Sequence, residues 1–460
     1  MIPPPAFFDA EHRKLTELQK RAEEHQTSAF GKQVVGMKPL KKGIRLPSFK
    51  DRSLSSPQIY IPQTPRFVAI PLDQQVGASV KPCVEVGATV SIGTKIAEGV
   101  DWPSVPIYAS VSGRVSKITE DSIVIESDEA DRLDPSIQGR TEIPSDPHEL
   151  TELVRQAGII DLGGGAIPLH LRLTEARAVQ VRTLVLNGCE SEPFVTTDHL
   201  LMLNRPVEIL KGAELLRIAA GAREAIIAIE QDKLEALELL NSKNYHLKID
   251  SVRTRALPVR YPQGLERTLA QTFLGRKLRP DESAVSAGIL VTNVAQAFAV
   301  YEAVYLGRPL YERVITVEGP CVMEPRNVWA RVGMRAADVI RSAKGLMRDP
   351  ERIVFGGPMM GEAIPNFDTP VTQKVRAVIA LSKDLTHIGS EEACIRCGFC
   401  VDVCPESLVP ETLVRAIRKG DSELVREYDM DACTECGLCS YVCPSKIPIS
   451  AVIREGKSSL

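Results

Sequence analysis

The sequence predicts a multidomain α/β protein, and three features of the chain lead to that fold class. Two runs of four cysteines stand near the C-terminus, strand and helix signals alternate over residues 147–310, and short strand patterns separated by Gly and Pro fill residues 41–130. At 460 residues the chain has room for several domains. We expect a barrel-sandwich hybrid domain, a Rossmann-like domain, a β-grasp domain and a helical two-cluster ferredoxin module, in that order.

The composition argues against some classes of protein. The hydrophobic fraction is 44% and the net charge is −3, as in ordinary soluble proteins, and there is no basic excess that would favour a nucleic-acid partner. Cys83, Cys189 and Cys321 lie outside the two runs and are expected to be reduced, which favours the cytosolic side of a membrane. The N-terminus lacks an apolar signal core, and polar residues interrupt the most apolar window, 286–306. We therefore predict no membrane-spanning helix.

The first 135 residues divide into an extension and a β-rich domain. Residues 1–40 are Pro-rich and then charged, and the stretch from Asp9 to His25 predicts a helix that is solvated or docks on a partner. The strand patterns of residues 41–135 resemble the barrel-sandwich hybrid of biotinyl and lipoyl domains. Carrier members of that family have a Lys to modify, but no Lys lies between Lys95 and Lys117. We therefore expect a structural or docking domain.

Residues 147–310 predict the Rossmann-like domain. Apolar runs at 183–188 and 224–230 fit buried parallel strands, and residues 207–219 and 233–240 have helical periodicity. Alternating strands and helices are typical of α/β folds, which bind ligands at the carboxyl edge of the sheet.

Residues 311–370 predict a smaller α+β domain. A strand pattern (RVITVEG) is followed by a helix pattern (RAADVIRSA) and a second strand pattern (RIVFGG). We interpret this unit as a β-grasp domain.

Each cysteine run has the spacing C-x2-C-x2-C-x3-C-P. The first begins at Cys394 and the second at Cys433, which is 39 residues later. This spacing wraps a cubane [4Fe–4S] cluster, because three closely spaced thiolates reach three irons and the fourth ligand comes from elsewhere. Zinc sites prefer cysteine pairs and disulfide scaffolds are short secreted chains, so both are weaker interpretations. Helical patterns between the runs predict a helical ferredoxin module over residues 385–460.

The eight cysteines of the runs predict two crossed ligand sets. In two-cluster ferredoxins the fourth Cys of each run binds the other cluster. One set is then Cys394, Cys397, Cys400 and Cys443, and the other is Cys433, Cys436, Cys439 and Cys404.

Two loops mark a candidate binding edge within residues 147–310. Gly163, Gly164 and Gly165 could bring backbone N–H groups against a phosphate, but without the G-x-G-x-x-G spacing an ordinary tight turn is the better interpretation of the triplet alone. The run NGCESEP, residues 187–193, follows a predicted buried strand and brings an amide and two carboxylates to the carboxyl edge of the sheet. A loop that caps the next helix is the alternative.

These loops, together with later motifs, resemble a known family. A glycine-rich loop, N-x-x-E-S-E-P, YPQGLE at residues 261–266 and TNV at residues 292–294 occur in this order in the NADH-binding flavoprotein subunit of respiratory complex I. The domain order, the twin cysteine runs and FGGPMMG at residues 355–361 resemble the C subunit of the Rnf complexes, which are membrane-bound, ion-translocating ferredoxin:NAD oxidoreductases. The resemblance covers residues 41–450.

The resemblance implies FMN, NAD(H) and two [4Fe–4S] clusters as cofactors. The residues it implies at the FMN phosphate and ribityl chain are Gly163, Gly164, Gly165 and Arg172. Those implied to border the isoalloxazine and nicotinamide are Asn187 and the two candidate catalytic carboxylates, Glu190 and Glu192. Those implied to complete the flavin and NADH contacts are Glu266, Thr292 and Asn293.

Three positions depart from the family pattern. The family loop usually continues Gly-Ala-Gly-Phe-Pro-Thr, whereas here Ile167 replaces the aromatic residue and Leu169 replaces the hydroxyl. Cys189 stands where the complex I run often has Asp. These changes put the strength of FMN and NADH binding in doubt.

The resemblance implies an NADH-reactive oxidoreductase subunit that lies peripherally on the cytoplasmic face of the inner membrane. Its implied partners are NADH, the membrane subunits of an Rnf-type complex and the ferredoxin-like subunit of that complex, and not nucleic acid. Two alternatives stay open. One is a cobalamin reductase of propanediol-utilisation type, which the β-rich domain at residues 41–130 disfavours. The other is a non-catalytic electron-wire or docking subunit with a decayed flavin pocket, which the departures at Ile167 and Leu169 favour.

Overall fold

The computed structural model describes residues 38, 40–77, 79–386 and 389–459. The helix predicted from Asp9 to His25 lies outside the described residues. The described chain forms three regions with β-sheets and a helical C-terminal region.

The first region contains two small antiparallel sheets. After a short helix, α1 (Asp51–Leu54), its strands are β1 (Phe67–Pro71), β2 (Val80–Pro82), β3 (Thr89–Val90), β4 (Lys95–Gly99), β5 (Ile107–Tyr108), β6 (Gly113–Ile118) and β7 (Ser122–Ser127). One sheet has the order β1-β7-β6-β3 and the other has the order β2-β4-β5. Side chains alternate in exposure along the strands, so that Val68 and Ile70 of β1 are fully buried.

The second region contains a four-stranded parallel sheet with helices on both faces. Its elements are α2 (Pro147–Gln156), α3 (Leu169–Ala178), β8 (Thr183–Gly188), α4 (Thr197–Asn204), α5 (Pro206–Ala220), β9 (Glu224–Glu230), α6 (Leu234–Leu247), β10 (Val252–Leu257), α7 (Glu266–Leu274), β11 (Ile289–Asn293) and α8 (Val294–Leu306). The strand order is β10-β9-β8-β11, and every pair is parallel. The carboxyl ends of β8 and β11 therefore meet at one edge, which positions the loops singled out above.

The predicted strands at residues 183–188 and 224–230 are observed with those bounds. Apolar residues cover both faces of these strands, since one hydrophobic core packs against each side of the sheet. The apolar window at residues 286–306 forms β11 and α8, which are separated by the helix cap at Asn293. Of the helices that the structure describes, none is long and apolar enough to cross a bilayer.

The third region contains a mixed five-stranded sheet. Its elements are β12 (Glu312–Glu318), β13 (Arg326–Arg331), α9 (Ala336–Arg341), β14 (Arg352–Phe355), β15 (Glu362–Ala363) and β16 (Ala377–Leu381). The order is β13-β12-β16-β14-β15, in which β12 and β16 are parallel and the other pairs are antiparallel. The sheet thus includes β16, which lies beyond residue 370, the predicted end of this domain. Its apolar face shares one core with the first region, in which Gly333 leaves room for Ile70.

The C-terminal region is helical. Its elements are α10 (Lys383–Thr386), α11 (Phe399–Val403), α12 (Pro410–Lys419), α13 (Ser422–Glu427), α14 (Leu438–Tyr441) and α15 (Ile449–Ser459). Helix α12 begins with a proline, and Gly420 in a left-handed conformation ends it. Its buried face, which includes Leu413, packs against Ile449 and Ile453 of α15.

A strap formed by residues 40–60 connects these regions. The Lys42 ammonium donates to the carbonyl of Val401 at 3.1 Å, and the Gly43 amide donates to that of Val403 at 3.2 Å. Further along, Tyr60 forms a bridge with Val328 of β13. The strap is therefore packed against the helical region at one end and the five-stranded sheet at the other.

Candidate cofactor sites

Both cysteine runs fold into the same backbone turn. Arg396 and Glu435, at equivalent places, have φ angles of 56° and 54°, and the glycines two residues later, Gly398 and Gly437, have φ angles of 82° and 80°. This left-handed conformation directs a backbone N–H at a sulfur in each run, from Arg396 to Cys394 and from Glu435 to Cys433, both at 3.4 Å. Such N–H···S bonds stabilise a ligating thiolate.

Cys404 of the first run lies with the cysteines of the second. Cys404, Cys433, Cys436 and Cys439 line one cavity, which is partly open to solvent. Burial, and after it the neighbouring Cys404 and Cys433, raise the pKa of Cys436 to about 12. Of the described residues that line this cavity, none is Lys or Arg. Four thiols that need a cation to ionise fit an iron–sulfur cluster, because its irons bind thiolates.

Cys443 of the second run lies with the cysteines of the first. Cys397 and Cys443 both act on the Cys400 thiol, whose pKa is raised by burial first and then by these neighbours. Cys394 and Cys397 are exposed, whereas Cys400 and Cys443 are buried. Among the described residues, no three Cys, His, Asp or Glu side chains converge as ligands of a single metal ion.

The glycine loop lies at the carboxyl edge of the parallel sheet, exposed to solvent. Asn187 of β8 and Asn293 of β11 are paired in register there. A Cβ on Gly163 would lie 3.4 Å from the amide nitrogen of Asn293, and one on Gly264 would lie 3.4 Å from that of Asn187. The structure therefore brings the glycine loop, both asparagines and the loop before α7 together.

Asp161, which the sequence did not single out, occupies the amides of the glycine loop. Its carboxylate accepts hydrogen bonds from the N–H groups of Gly163 at 3.0 Å and Gly165 at 2.9 Å. The sequence feature that could have indicated this contact is a carboxylate two residues before the first glycine, which is a common turn pattern. Gly164 has a φ of 117°, and no described atom lies within 4 Å of the place where its Cβ would be.

Arg172 and Glu266 are brought together as an ion pair. The guanidinium of Arg172 donates to the Glu266 carboxylate, which joins α3 to the first residue of α7 across the edge. The Arg172 side chain is 11% exposed and that of Glu266 is 45% exposed. Arg172, the expected counter-charge of the FMN phosphate, is therefore already paired with a carboxylate that faces solvent.

Glu190 points away from the edge and caps helix α4. Its carboxylate accepts from the Thr197 hydroxyl at 2.9 Å and from the amides of Asp198 at 2.7 Å and His199 at 3.2 Å. Burial alone would raise its pKa, but the charges of Lys50 and Arg376 hold the pKa of Glu190 below its usual value. The loop thus caps the next helix, as the alternative interpretation expected, but through the Glu190 carboxylate, since Thr196 at the N-cap position makes no side-chain cap hydrogen bond.

Glu192 lies between the α/β region and the five-stranded sheet. Its two oxygens accept from the amides of Met359 and Met360, each at 3.1 Å. Desolvation raises the pKa of Glu192 to about 7, against the lowering effect of these hydrogen bonds. Near it, the Tyr261 hydroxyl donates to the Cys436 carbonyl at 2.7 Å, so Glu192 lies close to the second cysteine run.

The remaining candidate residues differ in polarity and in burial. The Thr292 hydroxyl is buried and has no hydrogen-bond partner among the described residues. Ile167 is 40% exposed on the glycine loop, whereas Leu169 is fully buried at the start of α3. Cys189 is buried with its thiol 3.6 Å from the Ala228 carbonyl oxygen. An open glycine, two edge asparagines and an orphaned hydroxyl fit a polar cofactor such as FMN.

Three family models match successive parts of the chain. Residues 38–132 match the RnfC barrel sandwich hybrid domain, residues 154–302 the Nuo51 FMN-binding domain and residues 390–447 a 4Fe-4S dicluster domain. The barrel-sandwich prediction and the prediction of flavin and iron–sulfur domains are thereby confirmed.

Curated relatives match most of the chain. The C subunit of the Na⁺-translocating ferredoxin:NAD⁺ oxidoreductase complex of Acetobacterium woodii is 33% identical over 80% of this chain and 85% of that protein. The corresponding subunit of the proton-translocating complex of Clostridium ljungdahlii is 33% identical over 82% of this chain and 84% of that protein. This chain belongs to the RnfC family.

Members of the RnfC family differ in length. The C subunit of the ion-translocating oxidoreductase complex of Pseudomonas aeruginosa is 37% identical over 81% of this chain, but the match spans only 49% of that longer protein. Among solved structures, an NAD⁺-reducing [NiFe]-hydrogenase in the air-oxidised state is 20% identical with a TM-score of 0.50, over 68% of this chain and 62% of that one. That likeness concerns the fold alone.

Proposed function

We propose that this chain is the peripheral flavin and iron–sulfur subunit of a membrane-bound, ion-translocating ferredoxin:NAD oxidoreductase. In this role it passes electrons between NAD(H), FMN and two [4Fe–4S] clusters. Membership of the RnfC family and the FMN-binding and dicluster domains support the proposal. The observation that carries it is the hydrogen bond from Tyr261 to the Cys436 carbonyl, because it joins the candidate flavin edge to a cluster loop.

The domain details follow the same proposal. The parallel order β10-β9-β8-β11 corresponds to 3-2-1-4 in chain order, which supports a Rossmann-like flavin domain over residues 147–310. In the third sheet the first and last strands are parallel neighbours at its centre, which supports a β-grasp domain. We assign this domain to residues 311–370 together with β16, and the remaining units to residues 1–40, 41–135 and 385–460.

Each polar group at the sheet edge has a proposed task. Gly163, Gly164 and Gly165 with Arg172 would line the FMN phosphate and ribityl chain. Asn187, Glu266, Thr292 and Asn293 would orient the flavin and NADH. When bound, FMN supplies the exchange between a two-electron donor and one-electron clusters. Glu192, whose pKa is raised to about 7 by desolvation, would hold or release a proton beside the nicotinamide. Glu190 would contribute only indirectly, by stabilising the loop that carries Glu192. Its own carboxylate oxygens already accept hydrogen bonds from amides of α4.

Two [4Fe–4S] clusters would be held by crossed ligand sets. Cys404 would complete the set of Cys433, Cys436 and Cys439, with which it lines one cavity. Cys443 would complete the set of Cys394, Cys397 and Cys400, as its proximity to Cys400 supports. The proposed partners are the membrane subunits and the ferredoxin-like subunit of the complex, and the proposed location is the cytoplasmic face of the inner membrane.

A second candidate is a non-catalytic electron-wire or docking subunit. The observation that favours it is the Asp161 carboxylate bonded to the glycine-loop amides, where a phosphate would have to bind. A cobalamin reductase is disfavoured, because residues 38–132 match the RnfC barrel-sandwich domain.

Anaerobic reconstitution tests the proposal. The full chain is loaded with iron, sulfide and FMN, and flavin and iron are quantified before NADH is added in a stopped-flow instrument. We expect one flavin and two clusters per chain, with flavin absorbance bleached by NADH. Protein that takes up clusters but no flavin would establish the electron-wire candidate, and bound flavin that NADH does not bleach would remove the dehydrogenase role.

A further inference from the structure

The glycine loop holds an anion of its own. Each oxygen of the Asp161 carboxylate accepts one amide, Oδ1 from Gly163 at 3.0 Å and Oδ2 from Gly165 at 2.9 Å. Convergent backbone amides are the donors that proteins use to bind phosphate oxygens. The carboxylate therefore uses donors that an incoming phosphate would require.

The loop is built to fit Asp161. The Asp161 amide donates to the Ile167 carbonyl at 2.7 Å, which closes the loop on itself. A Cβ on Gly165 would lie 2.6 Å from Oδ2 of Asp161, so a side chain at residue 165 would collide with the carboxylate. Ala166, the next residue, has a φ of 53°, a left-handed conformation that is costly for a residue with a Cβ. The loop is therefore closed by one main-chain hydrogen bond of Asp161 and by the two amides that its carboxylate accepts.

A buried guanidinium, that of Arg313, lies behind the loop. Burial lowers the pKa of the Arg313 guanidinium to about 10, so Arg313 still carries its charge at neutral pH, and the charge of Asp161 acts against that lowering. Arg313 also donates to the Leu162 carbonyl at 3.3 Å, so it lies directly behind the loop. A phosphate that entered in front of the loop would meet the fixed negative charge of Asp161 at hydrogen-bonding distance, which is unfavourable.

We propose that Asp161 sets the ligand specificity of the flavin site, because its carboxylate occupies the phosphate position in the glycine loop. The inference rests on the proposed function, since it concerns the same site. The loop then gains little from the phosphate of FMN, and the site distinguishes poorly between FMN and riboflavin. Removal of the carboxylate frees both amides, which favours binding of FMN over binding of riboflavin.

Binding of the two flavins to two variants tests this role. The full chain, with clusters reconstituted anaerobically and flavin removed, is prepared as wild type, Asp161→Asn, Asp161→Gly and the control Asp250→Asn, which alters an exposed carboxylate. Dissociation constants for FMN and riboflavin are measured by quenching of flavin fluorescence. We expect the preference for FMN over riboflavin to rise roughly 10-fold or more in Asp161→Gly and to stay unchanged in the control. It should rise less in Asp161→Asn, because the carboxamide oxygen can still accept from one of the two amides. If Asp161 only supported the loop, both flavins would weaken together, and an unchanged ratio would overturn the inference.

Inorganic phosphate separates this inference from the proposed function. Phosphate should stabilise Asp161→Gly against heat, because that variant has two free amides, and should stabilise Asp161→Asn less, because one amide can still donate to the carboxamide oxygen. Wild type and Asp250→Asn should stay unchanged. If no protein binds either flavin, the proposed function fails, and the phosphate measurement alone decides the role of Asp161. Equal shifts in all four proteins, or no shift in any, would overturn it.

Discussion

Gly164 combines a strained backbone with open space in front of the loop. Its φ of 117° disfavours any side chain, and a Cβ there would meet no described atom within 4 Å. In a Gly164→Val protein the new side chain would occupy the volume proposed for the flavin phosphate. We expect this protein to lose flavin and keep both clusters, measured by flavin and iron content after anaerobic reconstitution.

Gly288 provides the matched control for that substitution. It has a φ of 92° and equally open surroundings, but it precedes β11 at the opposite edge of the sheet. Gly288→Val should therefore carry similar backbone strain and retain flavin. Loss of flavin from both proteins would mean that strain, and not contact with the ligand, explains the first result.

Glu192 gives a prediction that depends on pH. Desolvation raises its pKa to about 7 from an ordinary value near 4.5, so the folded state binds this proton more tightly than the unfolded state. Its contribution to stability is complete below about pH 4.5 and is lost as the pH rises to about 7. Glu192→Gln cannot titrate, and its unfolding temperature relative to wild type should rise between pH 5 and pH 7.5. The same protein should bind flavin but be reduced by NADH roughly 10-fold more slowly or worse.

Glu302→Gln separates the two effects of Glu192. The pKa of Glu302 is also raised to about 7 by desolvation, but this residue lies in the second half of α8, away from the sheet edge. We expect the same change of stability with pH and no change in flavin reduction. Slow flavin reduction in both variants would argue against a local role for Glu192.

Single residues divide into those the sequence could place and those it could not. The order of the predicted strands and loops placed Asn187 and the glycines at one edge, because local sequence sets where strands end, and the family resemblance added Asn293. The role of Asp161 depends on which way a turn closes, and the orientation of Glu190 depends on a helix N-terminus and on Lys50 and Arg376. Sequence patterns do not report such side-chain directions.

At the scale of elements, the crossed cysteine sets predict which cluster each fourth ligand serves. Cys443→Ala should remove or perturb the cluster of Cys394, Cys397 and Cys400, because Cys443 lies beside Cys400. Cys404→Ala is the reciprocal variant and should perturb the other cluster, with which Cys404 shares a cavity. Iron content and the EPR spectra of the reduced proteins distinguish the two. Loss of the second-run cluster in the Cys443 variant would contradict crossed ligation.

Elements with strong local periodicity were the predictable part of the fold. Regular apolar patterns predicted the buried strands β8 and β9 and the helices α5 and α6. The observed bounds agree with the predicted ones to within a few residues, except that α6 continues beyond its predicted end. Strands β10 and β16 could not be assigned with equal ease. The exposed Arg253 and the half-buried Arg255 interrupt the apolar pattern of β10, and β16 pairs with β12, some 60 residues earlier in the chain. Pairing over that distance leaves no local signature.

At the scale of the whole molecule, a peripheral subunit should separate from membranes without detergent. Within the described residues there is no candidate membrane-spanning helix. The peripheral assignment proposed above implies that the chain attaches to the complex through protein contacts. We expect high salt or a chaotrope to release the chain from isolated membranes into the supernatant, detected by immunoblot. An intrinsic membrane protein of the same complex is the control and should stay in the pellet. Release only by detergent would contradict the peripheral assignment.

The contact between the flavin and cluster regions centres on Glu406, just after the first cysteine run. One oxygen of its carboxylate accepts from Arg267 at 3.0 Å and from Gln271 at 2.8 Å, both on α7, and the Glu406 side chain is 4% exposed. Arg267 keeps three backbone carbonyl partners, at 2.7 to 3.0 Å, if Glu406 is removed. Glu406→Ala should therefore cost about 1.5–3 kcal/mol of interface stability without unfolding either region.

The lower interface stability of Glu406→Ala should slow electron transfer between the flavin and cluster regions and leave cofactor content unchanged. Since α7 begins at the candidate flavin edge, a looser contact lengthens the path from flavin to the cluster of Cys433, Cys436 and Cys439. We expect Glu406→Ala to keep flavin, clusters and the rate of flavin bleaching by NADH, but to slow the later bleaching of cluster absorbance. Glu391→Ala is the control, because its ion pair with Arg418 is exposed and lies within the cluster region. Equal cluster reduction in both variants would show that the Glu406 contact does not position the two regions for electron transfer.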